Sequence, residues 1–188
     1  MSEVKIIGLC GAARSGKDTF FGFANSLLKD KKRKCERVAF ADELKKDLEP
    51  FLFRKLKISA WTDDEEEKKL IRPILVAYGE AQREASQGMY WINKIKPKLE
   101  KNVRLNNLTV ITDIRYENEI AFLKSFRGSK CIYVERMGVG PANPPEKQND
   151  ALLRRGAGEL LKWRSFGGSE IRKCEPIVKS ILKKFKII

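Results

Sequence analysis

The chain contains no histidine. That removes the Ser-His and Cys-His nucleophile pairs and one of the commonest zinc ligands at once. Cysteine is scarce too, with four residues, Cys10, Cys35, Cys131 and Cys174. None are spaced as C-x-x-C, so a structural zinc site lacks its usual ligand pattern, and reduced thiols in a cytoplasm are the expectation. No apolar run approaches the roughly 18–20 residues needed to cross a bilayer. The opening MSEVKIIGLCG has neither a basic n-region nor a long apolar stretch, so no secretion signal is read there, and the protein is expected in the cytoplasm.

What is abundant is positive charge. Lys and Arg number 39 against 25 Asp and Glu, for a net +14 in 188 residues. Such a field attracts anions: nucleotides, nucleic acid or acidic membrane surfaces. The basic clusters lie at 29–34, 94–101 and 183–186. They read either as solvated lysine faces or as capture surfaces for a polyanion. No helix-turn-helix, RNA-binding or zinc module accompanies them, which argues against a nucleic-acid partner. No membrane partner is expected, and a homodimer is left open.

Hydrophobic periodicity alternates between strand and helix. Residues 4–10, VKIIGLC, read as a buried strand. Phe20, Phe23, Ala24, Leu27 and Leu28 then fall on one helical face. Val38 to Phe40 suggests a second strand, and Asp42 the start of a helix to about Lys57. The acidic run at 63–67 leads into a helical stretch through about Arg83. Met89, Tyr90, Ile92 and Ile95 predict a further helix stopped near Pro97. Leu108 to Thr112 reads as a third strand ending on Asp113. A helix carrying Ile120, Leu123 and Phe126 follows, then a fourth strand over 130–135. Residues 137–158 are rich in Gly and Pro and read as a mobile loop or lid rather than a packed element. The last helix carries Ile177, Val178, Ile181, Leu182 and Phe185. It begins at Pro176 or, kinked, near Ser169. This alternation predicts an α/β fold with a parallel sheet, in which ligands gather at the carboxyl ends of strands.

One motif carries chemistry on its own. Gly11-Ala12-Ala13-Arg14-Ser15-Gly16-Lys17 satisfies G-x-x-x-x-G-K, after a buried strand and before an amphipathic helix. Glycines let the backbone wrap close to phosphate oxygens, and the helix adds its positive N-terminal end. Lys17 supplies a full charge to the β- and γ-phosphates. The residue after the lysine is usually Ser or Thr; here it is Asp18, with Thr19 next. A carboxylate suits Mg²⁺, so Asp18 is read as a metal ligand, directly or through water, with Thr19 beside it. The alternative for Asp18 is stabilisation of the helix N-terminus.

Arg14 to Thr19, RSGKDT, resembles the phosphate loop of bacteriophage deoxynucleoside monophosphate kinases. FADELKKDL at 40–48, YGEAQREASQGMYWINKI at 78–95 and TDIRYENEI at 112–120 are similar to that family's segments in the same order. Animal-type phosphomevalonate kinases share the SGKD loop, the G-E-x-x-R segment and the D-x-R strand end. They supply the alternative reading; a nucleic-acid-binding ATPase is the alternative of another class. The resemblance implies one P-loop NTPase domain over 1–188, with an acceptor-binding segment at about 42–100 and a lid at about 137–160. It implies Mg²⁺ and ATP as cofactors and nucleotide substrates, a dNMP being converted to a dNDP.

It also assigns candidates. Lys17, Asp113 and Arg115 are the catalytic set, and Gly11, Arg14, Ser15, Gly16, Lys17, Asp18 and Thr19 hold the nucleotide. Asp113 is either a metal-shell or acceptor-orienting carboxylate, or a helix cap. The planar fork of Arg115 suits phosphate. Asp42, Lys45, Arg72 and Arg83 are expected on the acceptor. Arg72 and Arg83 are about three helical turns apart and so share a face. Tyr90 and Trp91 either stack on a base or pack a core. Arg136, Arg154 and Arg155 are candidate closing cations in the lid region. Trp163 and Phe166 are candidates for packing near an adenine.

Overall fold

The computed structural model describes residues 4–30, 33–141, 144–164 and 168–188. Among these residues five parallel strands form one sheet: β1 (Ile6–Cys10), β2 (Cys35–Val38), β3 (Leu108–Ile114), β4 (Lys130–Arg136) and β5 (Glu159–Trp163), in the order β2-β3-β1-β4-β5. All five residues of β1 are buried, as expected of a central parallel strand covered on both faces. Period-two alternation then sorts the core. Ile7 and Leu9 of β1 and Ile132 and Val134 of β4 share a cluster with Phe20, Ala24 and Leu28 of α1 (Lys17–Lys29) and with Val178 and Leu182 of α7 (Glu175–Lys184). On the opposite face lie α5 (Glu117–Ser125) and α6 (Pro144–Gly156). A Cβ on Gly8 there would stand 2.5 Å from Leu123 Cδ2, so the glycine leaves room for the α5 side chains against the sheet. Removing a side chain such as Phe20 from water contributes about 1.5–3 kcal/mol. The chain is an α/β P-loop fold, as expected.

Contacts divide the chain into two compact units, one of residues 1–38 and 98–188 and one of residues 39–97. The second unit contains α2 (Phe40–Leu56), α3 (Glu65–Ala85) and the first part of α4 (Tyr90–Arg104). Leu48, Leu52, Ile58, Ala60 and Ile71 form its core. The acidic run caps α3: Asp64 Oδ1 accepts from the backbone N–H groups of Glu66 and Glu67, both at 2.9 Å. Glu65, Glu66 and Glu67 face the positive end of the helix.

Several boundaries differ from expectation. Helix α4 does not stop at Pro97. It runs to Arg104, because the buried stripe Trp91, Ile92, Ile95, Leu99 and Asn102 continues through the proline. One lost hydrogen bond is outweighed by that burial. Residues 144–156, expected to be irregular, form α6, with the Pro144-Pro145 pair in its first turn, where a missing N–H costs nothing. A fifth strand, β5, follows inside and after the expected lid. Helix α2 begins at Phe40, so Asp42 lies in its first turn rather than at its start. A 3-10 turn over Gly168–Cys174 precedes α7. All four cysteines are free and buried. Among the described residues no helix is long and apolar enough to cross a membrane.

Candidate functional site

The loop between β1 and α1 is shaped by two glycines and one strained residue. Gly11 has φ +116° and Gly16 φ +98°, and Arg14 adopts φ +62°. At Gly11 the requirement is double, since a Cβ would also sit 2.2 Å from the Val134 carbonyl oxygen of the neighbouring strand. Gly16 is the residue before α1 and offers no side-chain cap. The first N–H groups of the helix are therefore left for another acceptor, and the helix dipole favours an anion there.

Lys17 folds back over the loop. Its ammonium donates to Gly11 O at 2.8 Å, to Ala12 O at 2.7 Å and to Ser15 Oγ at 3.4 Å. Burial lowers its pKa, and the neighbouring Arg115 guanidinium lowers it further, against Glu146 and Asp18, which raise it. Lys17 is thus the positive focus of a pocket walled by Gly11–Ala13, Ile114, Arg115 and the α6 residues Glu146, Asn149, Asp150 and Leu153.

Asp113 and Arg115 lie at the end of β3, the strand beside β1. Cys10 pairs with Ile114 and Gly8 with Ile111, so β3 carries one extra residue in between. A bulge of this kind re-aims side chains next to functional sites. Asp113 lies inside β3, and the N-cap of α5 is Tyr116, so the capping role considered for Asp113 is ruled out. Two residues around Arg115 went unnoticed in the sequence. Glu119, only 1% exposed, accepts from the backbone N–H of Arg115 at 2.8 Å and of Tyr116 at 3.2 Å, fixing the turn that carries Arg115. Its position three residues after the N-cap is the one signal that would have found it. Glu146 was hidden in the proline-rich stretch; its Oε1 lies 3.8 Å from Arg115 Nη1.

Asp18 is exposed in the first turn of α1 and pairs with Arg37 at 3.6 Å. Thr19 is half-buried beside it. Among the described residues no cluster of three His, Cys, Asp or Glu could enclose a metal. Magnesium at a phosphate site needs only one or two protein oxygens besides phosphate and water, so Asp18 and Thr19 fit that modest demand.

The lid-region arginines have separate contacts. Arg136 Nη1 donates to Arg14 O at 3.4 Å, touching the loop backbone. Arg154 pairs with Glu135 at 2.8 Å and lies over the Tyr133 ring, anchoring α6 to β4. Arg155 is exposed. Trp163 is 3% exposed in the sheet core rather than open to an adenine. Phe166 lies outside the described residues.

In the second unit, Arg72 and Arg83 both lie on α3, Arg72 exposed and Arg83 half-buried. The Lys45 ammonium lies 4.8 Å from the Trp61 ring centre. Asp47, unnoticed in the sequence, gathers three helices: Lys94 Nζ donates at 2.8 Å, Tyr90 Oη at 2.9 Å and Tyr78 Oη at 3.4 Å. Of the two readings of Trp91, its burial favours packing in the core over stacking on a base. Its ring is 2% exposed, donates to Gly79 O at 3.1 Å and meets Tyr78 and Tyr90 edge-on, which leaves no face for a ligand. The Tyr90 hydroxyl is committed to Asp47.

A lysine-bearing glycine loop at a helix start, with an arginine delivered by the adjacent strand end, can bind and neutralise a phosphate chain. A family model described as Phosphomevalonate kinase matches residues 9–129. No curated protein sequence matches the chain. Among solved structures, shikimate kinase from Acinetobacter baumannii in complex with shikimate is 15% identical, with 96% of this chain and 94% of that one covered and a TM-score of 0.45. TT1252 from Thermus thermophilus is 17% identical, with 97% and 98% covered and a TM-score of 0.44. The Mycobacterium tuberculosis APS kinase CysC, in complex with AMPPNP and APS, is 10% identical, with 97% and 99% covered and a TM-score of 0.42.

Proposed function

We propose that this chain, which belongs to the phosphomevalonate kinase family, transfers the γ-phosphoryl group of ATP to the phosphate of a small non-nucleotide acceptor of the phosphomevalonate type, giving a diphosphate and ADP. The observation that carries this reading is the span of the family match. Residues 9–129 take in the phosphate loop, the α3 arginines and the Asp113–Arg115 strand end together. The burial of Trp91 agrees with it, because an acceptor without a base needs no aromatic platform.

Phosphoryl transfer between phosphates asks for positioning and charge neutralisation rather than a strong base. In this reading the loop N–H groups and the start of α1 hold the triphosphate, and Lys17 accompanies the transferring group. Magnesium, held with Asp18 and Thr19, would supply charge neutralisation at the phosphate oxygens. Arg115 stabilises negative charge in the transition state, and Asp113 orients groups at the same strand end. Arg72 and Arg83, on one face of α3, are the ligands for the acceptor phosphate, with Asp42 and Lys45 on α2 as further acceptor contacts.

A second reading, a deoxynucleoside monophosphate kinase, is favoured by the ordered segments at 40–48, 78–95 and 112–120. An ADP-release assay over phosphomevalonate and every dNMP separates the two. Turnover with phosphomevalonate and none with any dNMP is the expected result. Turnover confined to dNMPs would replace the first reading with the second.

A further inference from the structure

Helix α6 turns an acidic edge toward a basic site. Glu146, Asn149 and Asp150 wall the same pocket as Gly11–Ala13, Lys17 and Arg115. The Glu146 side chain is 18% exposed, with Oε1 3.8 Å from Arg115 Nη1. Glu146 is also among the charges that act on Lys17. The two cations assigned to the phosphate chain therefore already share a carboxylate. A carboxylate and a phosphate edge suit the same guanidinium fork, and two anions at one pair of cations repel each other.

We propose that Glu146 is an internal competitor of the nucleotide: its carboxylate and a triphosphate draw on the same Arg115 and Lys17, so Glu146 sets how tightly ATP binds. The inference rests on the reading of the loop as an ATP site. The rest of α6 is anchored independently. Asp150 accepts a hydrogen bond from Tyr133 Oη, Arg154 pairs with Glu135 at 2.8 Å, and Leu153 is 5% exposed. These anchors can stay in place while the Glu146 side chain yields. Cations held by an internal carboxylate are kept in the pocket, and nucleotide binding exchanges one anion for another.

Calorimetric titration of ATP into the full chain, with and without Mg²⁺, tests this. E146Q keeps the size and removes the charge. It is expected to bind ATP about tenfold more tightly in both arms, a change of about 1.4 kcal/mol. In the R115A background the gain from E146Q should shrink, which a merely structural role for Glu146 would not produce. E146A, with its melting temperature recorded, guards against a folding artefact and should show the same sign. Unchanged affinity in the Mg²⁺-free arm overturns the proposal. A loss confined to the Mg²⁺ arm also overturns it and makes Glu146 a metal ligand. A wild-type chain that binds no ATP overturns the kinase reading and this inference together. A wild-type chain that binds ATP while E146Q is indifferent overturns the inference alone.

Discussion

The backbone of Gly11 lies so close to Val134 that a Cβ on Gly11 would sit 2.2 Å from the Val134 carbonyl oxygen. The first turn of the phosphate loop is therefore set by strand β4 as much as by its own sequence. With φ at +116°, alanine is strained there even after the carbonyl moves. G11A is expected to lower stability by about 2–4 kcal/mol and to abolish ATP binding. Thermal melts and ATP titration check both. Normal ATP affinity in a folded G11A protein would refute the tight coupling of loop to strand.

Lys17 gives a pH prediction with a definite sign. Its pKa is lowered from 10.5, by burial first and by Arg115 second. ATP affinity that depends on the protonated ammonium should therefore decline on the alkaline side before pH reaches that ordinary lysine value. R115A removes one cause of the shift, so the declining limb should move to higher pH. A limb that stays put would show that Arg115 and Lys17 do not interact. K17M should lower turnover by at least about 10²-fold.

Trp91 separates packing from recognition. W91A is expected to cost about 3–5 kcal/mol as a core truncation. W91F retains most of the packing and should leave the acceptor KM unchanged. A W91F protein that melts normally yet loses acceptor affinity would restore the stacking role and favour a nucleotide acceptor.

Asp47 should govern acid stability in the second unit. Burial pushes its carboxyl up, but hydrogen bonds from Lys94, Tyr90 and Tyr78 outweigh this and hold it below its ordinary 3.8. A depressed carboxyl contributes stability that is complete above 3.8 and is lost as pH falls through its lower folded value. D47A leaves three donors without their acceptor and should cost about 2–3 kcal/mol near neutrality. Its deficit should vanish in strong acid. A deficit that persists at low pH would show that Asp47 acts through packing.

How much was legible in the sequence depended on how local the cause was. The strand, loop and helix over 4–29 were readable because sequence neighbours determine them: a buried run, a glycine turn and a period of 3.6. Helix α4 beyond Pro97 was missed because the proline is a strong local signal, whereas its remedy, the burial of Leu99 and Asn102, is tertiary. Helix α6 was masked by its own N-terminal prolines. Among the described residues edge strand β5 pairs with β4 alone, and just Leu161 and Trp163 of its five residues are buried, which gives a faint pattern. Lys17 and Arg115, which line one pocket, were singled out by motif, as was Asp113 at the same strand end. Glu146 was not, because the fold alone brings it near Arg115; Glu119 was passed over although its partners, the N–H groups of Arg115 and Tyr116, are local. Trp91 was left between stacking and packing because an aromatic pair reads the same in a core as on a binding face.

The chain leaves the sheet-containing unit after Val38 and re-enters it at Lys98. Those two points are neighbours: Lys98 Nζ donates to Arg37 O at 3.4 Å. Residues 39–97 are therefore a cassette whose two ends meet, set into a domain that needs none of its strands from them. Such a segment can be exchanged in evolution or by splicing at the bench without rethreading the sheet. In the proposed reading, nucleotide handling and acceptor choice are then separable traits of one gene.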